Sequence, residues 1–315
     1  MIVTVTLNAA LDVAYEAAGL SWQSTRDVSR MRYRAGGRGV AVARVLHTFG
    51  HDVVAAGLVG GAAGELIKED LSRSGIPVSF TAIGRESRRV LEVTDTGGGR
   101  TIRLREPGPY VTTEELGRFA GDYRRMLSDA TAVVLCGTLP AGLPPEIYGS
   151  LATYAAEAGV PVILSAGGSA LRHAAARRPG LVIPDTDGDA VPRTGAGEGT
   201  GDAGAPGGAS PDDALMRLGA AAVATPSAGR LRVVTKAGRW KASLAAPGTG
   251  DGTAAAPGSL GALVAGLVPG LLLGWSWPDL LRHAIAVAAA ADMSGTVNLS
   301  VYEGLLDSVT VEPAG

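Results

Sequence analysis

Two short runs, Ala130–Cys136 (ATAVVLC) and Val160–Leu164, are apolar at nearly every position, and a helical stretch, Pro144–Ala158, lies between them. Successive strand side chains point to opposite faces, so a strand that is apolar throughout must be covered on both sides. Helices on both faces of a mainly parallel sheet meet that demand. The same alternation runs along the chain. Met1–Leu7 and Asp52–Val59 read as strands, whereas Val40–Phe49, Gly64–Ser74 and Thr112–Ser128 have helical spacing. Thr112 or Thr113 caps the last of these, with Glu115 in its first turn. Val78–Ile83, Val90–Thr94, Thr101–Leu104, Arg232–Thr235, Lys241–Leu244 and Val309–Glu312 read as further short strands, and Asp279–Met293 as an alanine-rich helix. The expectation is a single doubly wound α/β domain with ligands at the carboxyl ends of its strands.

The 315 residues are 46% apolar and 18% charged, enough for a sizeable core, and the net charge of −2 gives no electrostatic case for nucleic acid or an anionic membrane. The single Cys136 excludes an intrachain disulfide. His47, His51, His173 and His283 do not cluster as metal ligands and read as solvated or helix-surface residues. No signal segment opens the chain, and the apolar run from Leu260 is short for a membrane span, so a cytoplasmic protein is expected. Residues 185–212 are almost entirely Gly, Ala, Asp, Thr, Pro and Ser, which predicts a mobile surface insertion.

Several motifs occur in a telling order. Thr6-Leu-Asn-Ala-Ala-Leu-Asp12 follows the first strand, and Gly36-Gly-Arg-Gly-Val-Ala-Val-Ala-Arg44 opens a helix. Ser87-Arg-Arg-Val90, Arg105-Glu-Pro-Gly-Pro109, Gly137-Thr-Leu-Pro140 and Pro257-Gly-Ser-Leu-Gly-Ala-Leu-Val-Ala-Gly-Leu267 come later. A glycine turn running into a helix aims backbone N–H groups at an anion. The set resembles the PfkB/ribokinase family of sugar kinases, most closely the branch of 1-phosphofructokinases and tagatose-6-phosphate kinases, over nearly the whole chain.

That resemblance implies a ribokinase-like three-layer α/β domain with a small β-lid, built from about 12–34 and 87–104. It implies ATP and Mg as cofactors, a phosphorylated sugar as substrate, and a homodimer formed through the lid. It assigns Asp12, Gly36, Gly37, Arg38, Gly39, Arg88 and Thr138 to the substrate, with Arg38 standing for a family lysine and able to meet a phosphate, and Arg88 matching a family arginine that contacts the substrate phosphate. It assigns Gly258, Ser259, Leu260 and Gly261 to an anion hole. In the family a catalytic aspartate occupies the position of Gly261. Ala41 and Arg105 stand where relatives carry asparagine.

The other end of the cleft departs further from the pattern. Ser165 ends a strand where the family has aspartate. Val182-Ile-Pro-Asp185 replaces a Lys-Pro-Asn run, and Gly188 a following glutamate. Thr225-Pro-Ser227 takes the place of a Ser-Leu-Gly turn. Losing a positioned base alone costs about a hundred- to ten-thousand-fold in rate. The leading expectation is therefore a sugar-phosphate-binding homologue with impaired catalysis. The alternatives are an active hexose-phosphate kinase with Asp251 as a displaced base, and a regulatory or structural partner of an active paralogue.

Overall fold

Strands β1 (Ile2–Thr6), β4 (Val53–Gly60), β5 (Val78–Ile83), β8 (Ala132–Cys136), β9 (Val162–Ala166), β10 (Leu181–Pro184), β11 (Ala222–Ser227), β12 (Arg230–Thr235), β13 (Arg239–Leu244) and β14 (Val309–Pro313) form one ten-stranded sheet. The numbering includes four strands of a second sheet, β2 (Ala10–Ala17), β3 (Arg30–Gly36), β6 (Arg88–Asp95) and β7 (Arg100–Arg105). This computed structural model describes residues 1–185, 210–227, 229–244, 259–292 and 294–314. The large sheet runs β14-β13-β12-β11-β10-β9-β8-β1-β4-β5. Its pairs are parallel from β5 to β11 and antiparallel from β11 to β14.

The near-continuous apolar strands divide their side chains between two cores, as period-two geometry requires. Ala132, Val134 and Cys136 of β8 join one core; Val133 and Leu135 join the other. The first core lies under helices α1 (Arg38–Thr48), α2 (Gly61–Arg73), α7 (Leu260–Leu273) and α8 (Trp277–Ala290). The second lies under α3 (Thr113–Met126), α4 (Ile147–Glu157), α5 (Gly168–Ala175) and α6 (Pro211–Leu218). A short α9 (Leu299–Leu305) precedes β14. The result is three layers, α/β/α.

Local sequence sets the element ends. Thr112 caps α3 in a reciprocal box with Glu115. Ser276 caps α8 through the Asp279 N–H at 3.3 Å, with Pro278 in the first turn.

Several expectations need correction. A proline in a helix interior usually breaks it, yet α7 is continuous around Pro269, in a segment buried on nearly all sides. The expected mobile insertion falls mostly on residues 186–209, outside the described residues; the described ends of the 185–212 segment are built into the fold. Asp185 is buried, and Ser210 caps α6. Asp212 is 2% exposed, accepting from Thr225 Oγ1 at 2.7 Å and Arg232 Nε at 2.8 Å. Thr225-Pro-Ser227 is not a turn but the end of β11, paired with β12. His283 is buried, with Nδ1 2.8 Å from the Tyr302 hydroxyl, and burial lowers its pKa to about 4. A separate α5 and the short strands β10 and β11 escaped the sequence reading.

In the small sheet, ordered β3-β2-β6-β7, β2 and β6 run parallel while both outer pairs are antiparallel hairpins. Its root is tied to the body by Asp70 of α2, whose Oδ2 accepts from the Ala35 N–H of β3 at 2.8 Å. The same carboxylate holds Arg44 of α1, and both side chains are largely buried. Leu11, Val13 and Ala35 pack into the same core as Ile67 and Leu71 of α2. Removing one member of a buried pair strands the other charge. Asp70→Ala should therefore lower the unfolding free energy by about 3–5 kcal/mol. Urea denaturation measures it, and a loss within experimental scatter would refute the anchoring role.

Candidate functional site

The parallel ladder ends its strands on one edge, and the loops leaving that edge carry the polar groups. A cleft of about 740 Å³ lies there, between the large sheet and the small one. Asp12, Gly36, Gly37, Arg38, Arg88, Thr138, Ser259, Leu260 and Gly261 all line it. These residues come from five separate stretches of sequence. Gly39 does not line it: it is buried in the first turn of α1, where an added Cβ would collide with the Thr6 hydroxyl. Gly258, Gly188 and Asp251 fall outside the described residues.

One face of the small sheet forms a wall of the cleft. Registered pairs build it in rows: Gly36, Ala10 and Arg88; then Arg34, Asp12, Val90 and Arg105; then Arg32, Ala14, Glu92 and Arg103. Every residue of these rows except Ala10 lines the cleft. Gly36 is required beside Asp12, because a Cβ there would overlap the carboxylate. No hydrogen bond reaches that carboxylate among the described residues. Burial raises the Asp12 carboxyl from its ordinary 3.8 to about 6, against the opposing pull of Arg103 and Arg88. Burial likewise lowers the pKa of Arg88, as does the like charge of Arg105, while Asp12 opposes them. Arg88 Nε is buried without a partner.

The opposite wall is formed by the amino ends of α1 and α7. Gly37 precedes α1 at φ +116, and Arg38 is its first residue. The Arg38 Nη1 donates to Asp185 Oδ2 at 2.5 Å, and that carboxylate side chain is only 1% exposed. The resemblance sets Arg38 against a phosphate; here its guanidinium lines the cleft already paired with Asp185. Ser259 precedes α7, Leu260 and Gly261 open its first turn, and all three line the cleft, so the helix end with its unpaired N–H groups lies at the cleft. Gly261 itself is sealed in place. A Cβ added there would lie 2.7 Å from the Ala41 Cβ and 3.1 Å from the Arg38 carbonyl oxygen.

Thr138 follows β8, and its Oγ1 accepts from Asn8 Nδ2 at 3.1 Å. Asn8 is 7% exposed, and its Oδ1 has no partner. Sequence reasoning missed Asn8 as a lining residue, together with Arg32, Arg34, Glu92 and Arg103. The signal for the arginines was present: Arg30, Arg32 and Arg34, and likewise Arg103 and Arg105, repeat at the two-residue period of a strand face. Ile183 and Ser165 belong to the interior instead, each fully buried.

At the cleft rim, Arg34 reaches the loop after α8. Its Nη1 donates to Ser294 Oγ at 2.8 Å and Thr296 Oγ1 at 2.9 Å, and lies 3.7 Å from Asp292. No helix among the described residues is long and apolar enough to cross a membrane.

A family model described as pfkB family carbohydrate kinase matches residues 5–186. A crystal structure of a possible 1-phosphofructokinase from Thermotoga maritima shares the fold at a TM-score of 0.79 and 24% identity, covering 100% of both chains. Phosphofructokinase-2 from Escherichia coli in complex with fructose-6-phosphate does so at 0.77 and 20% identity, over 97% of this chain and 98% of that one. A tetrameric inhibited form of that enzyme gives 0.77 and 21% over the same shares. The three-layer architecture is the ribokinase-like one.

The Asp12 shift carries a sign that can be measured. A raised carboxyl pKa means that the ionised form opposes folding; the cost is full above pH 6 and fades as pH falls toward 4. Asp12→Asn should raise the unfolding free energy at pH 8 by roughly 3 kcal/mol, with the gap to wild type nearly closed at pH 4. Urea melts at both pH values read this, and a variant weaker than wild type at pH 8 would contradict it.

Proposed function

Since the chain belongs to the pfkB family of carbohydrate kinases, we propose that it is a sugar-phosphate-binding member whose phosphoryl transfer is impaired. One observation carries this reading: the position that resembles the family's base is Gly261, packed so closely on Ala41 that a side chain has no room. Of the cleft's described carboxylates, Glu92 is held by Arg103, Asp185 by Arg38, and Asp292 by its own loop through the N–H groups of Ser294 and Thr296. Asp12 remains, on the small sheet, positioned to accept hydrogen bonds from sugar hydroxyls once ionised.

The sugar end keeps its donor and acceptor chemistry. Asp12, the Gly36-Gly37 turn, Arg88 and the Thr138 hydroxyl converge on one cleft. On the nucleotide side the described residues fit a magnesium triphosphate poorly. Asp185 places a carboxylate there, and Arg38 is spent on neutralising it. Triphosphate chemistry needs cations and metal-holding groups at that place. We infer that Mg-ATP engages weakly.

Self-association through the small sheet is part of the proposal. Its outer face leaves Met31, Ile102 and Leu104 about half exposed (50–55%). Analytical ultracentrifugation should find a dimer in the wild type and a monomer in the Ile102→Glu/Leu104→Glu variant; a monomeric wild type refutes this part.

Isothermal titration with fructose 1-phosphate, tagatose 6-phosphate and Mg-ATP tests the central reading. A sugar phosphate should bind, and turnover should lie about a hundred- to ten-thousand-fold below that of a homologue with the aspartate in place. Gly261→Asp alone should restore nothing, because Ala41 blocks it; the pairing with Ala41→Gly removes the shortest contact and leaves the Arg38 carbonyl oxygen at 3.1 Å. Turnover at ordinary kinase rates would overturn the proposal, and its loss in Asp251→Ala would then identify the displaced base.

A further inference from the structure

The cleft is more basic than the chain around it. Six arginines line it (Arg32, Arg34, Arg38, Arg88, Arg103 and Arg105) against the four carboxylates Asp12, Glu92, Asp185 and Asp292. Four of the arginines have ion-pair partners: Arg32 with Glu16 at 2.8 Å, Arg34 with Asp292 at 3.7 Å, Arg38 with Asp185 at 2.5 Å, and Arg103 with Glu92. Among the described residues, Arg88 and Arg105 have none. Arg105 pairs with Val90 across β6 and β7, and Arg88 lies two residues before Val90 on the same face. The two are therefore diagonal neighbours, typically about 7–8 Å apart at the backbone and within reach of long side chains.

Two guanidinium groups on adjacent strands repel unless an anion lies between them. That repulsion is felt by Arg88, and its buried Nε lacks an acceptor. A buried donor left unsatisfied costs free energy that a ligand oxygen can return. Asp12, in the neighbouring position on β2, supplies at most one opposing charge.

We propose that Arg105 joins Arg88, which the family resemblance already places at the substrate phosphate, as a second guanidinium anchor for the phosphate monoester dianion of the ligand, setting the preference for phosphorylated over unphosphorylated sugar. This rests on the sugar-phosphate reading above for the identity of the ligand, but not for the anchor itself. Arginine suits the task because its planar fork meets phosphate oxygens two at a time and stays charged throughout the accessible pH range. A single arginine binds a monoester; a second on the next strand makes affinity depend steeply on the ligand's charge.

The test is isothermal titration of wild type, Arg105→Gln and Arg105→Lys with fructose 1-phosphate, fructose and inorganic phosphate, at low and high salt. Arg105 is exposed, so its replacement should leave the melting temperature unchanged. Arg105→Gln should weaken fructose 1-phosphate and inorganic phosphate at least tenfold, leave fructose unaffected, and flatten the salt dependence. Arg105→Lys should fall between, keeping the charge but losing the fork. Equal affinity of wild type and Arg105→Gln for fructose 1-phosphate refutes the anchor while leaving sugar-phosphate binding intact. Binding of inorganic phosphate that depends on Arg105, without binding of any sugar phosphate, refutes the sugar reading and supports the anchor. Binding of neither refutes both.

Discussion

The structure depends on burying β1 from every direction. All five of its residues are buried, and it hydrogen-bonds in parallel to β4 on one side and β8 on the other. A strand so enclosed cannot carry polar chemistry along its length. Function is therefore pushed to its carboxyl end, where Thr6, Asn8 and Asp12 follow within a few residues. The helices that cover the sheet bring their amino ends to the same edge. The cleft is thus a product of the parallel ladder before any particular residue is considered.

Within that cleft the positive charge is unevenly placed. On the side of α1 and α7, Arg38 is locked to a carboxylate that is almost wholly enclosed. Detaching it would remove a partner from a buried anion, and such losses run to several kcal/mol. On the side of the small sheet, two arginines are left over. The paired arginine and the unpaired ones thus lie on opposite walls of the cleft. On the same wall, a Cβ added at Gly261 would lie 2.7 Å from the Ala41 Cβ, so a side chain there requires the two helices to shift.

Much of the fold could be read from the sequence because the β8–β9 region is apolar beyond what one-sided burial allows. Shorter elements were harder to see. β10 has four residues and α5 eight, too few for either period to declare itself. The site was legible in its individual residues but not in their pairings. The Arg38–Asp185 contact joins residues 147 positions apart, and nothing local signals it. Asp212 looked like part of a low-complexity stretch because its neighbours on the amino-terminal side are small. Its role comes from Thr225 and Arg232, which only the tertiary structure brings near. The arginine rows of the small sheet did announce themselves, through alternation, but over spans short enough to pass for scattered surface charge.

The small sheet is assembled from two hairpins separated in sequence by α1, β4, α2 and β5. During synthesis the first hairpin, complete at Gly36, has to wait for β6, which ends at Asp95. At ribosomal speeds that interval lasts several seconds, roughly 3–12 s. For that time the inner edge of β2 offers unpaired backbone groups to any passing extended chain. The alternating arginines of β3 lie on the strand beside that edge, and like charges on two such hairpins repel.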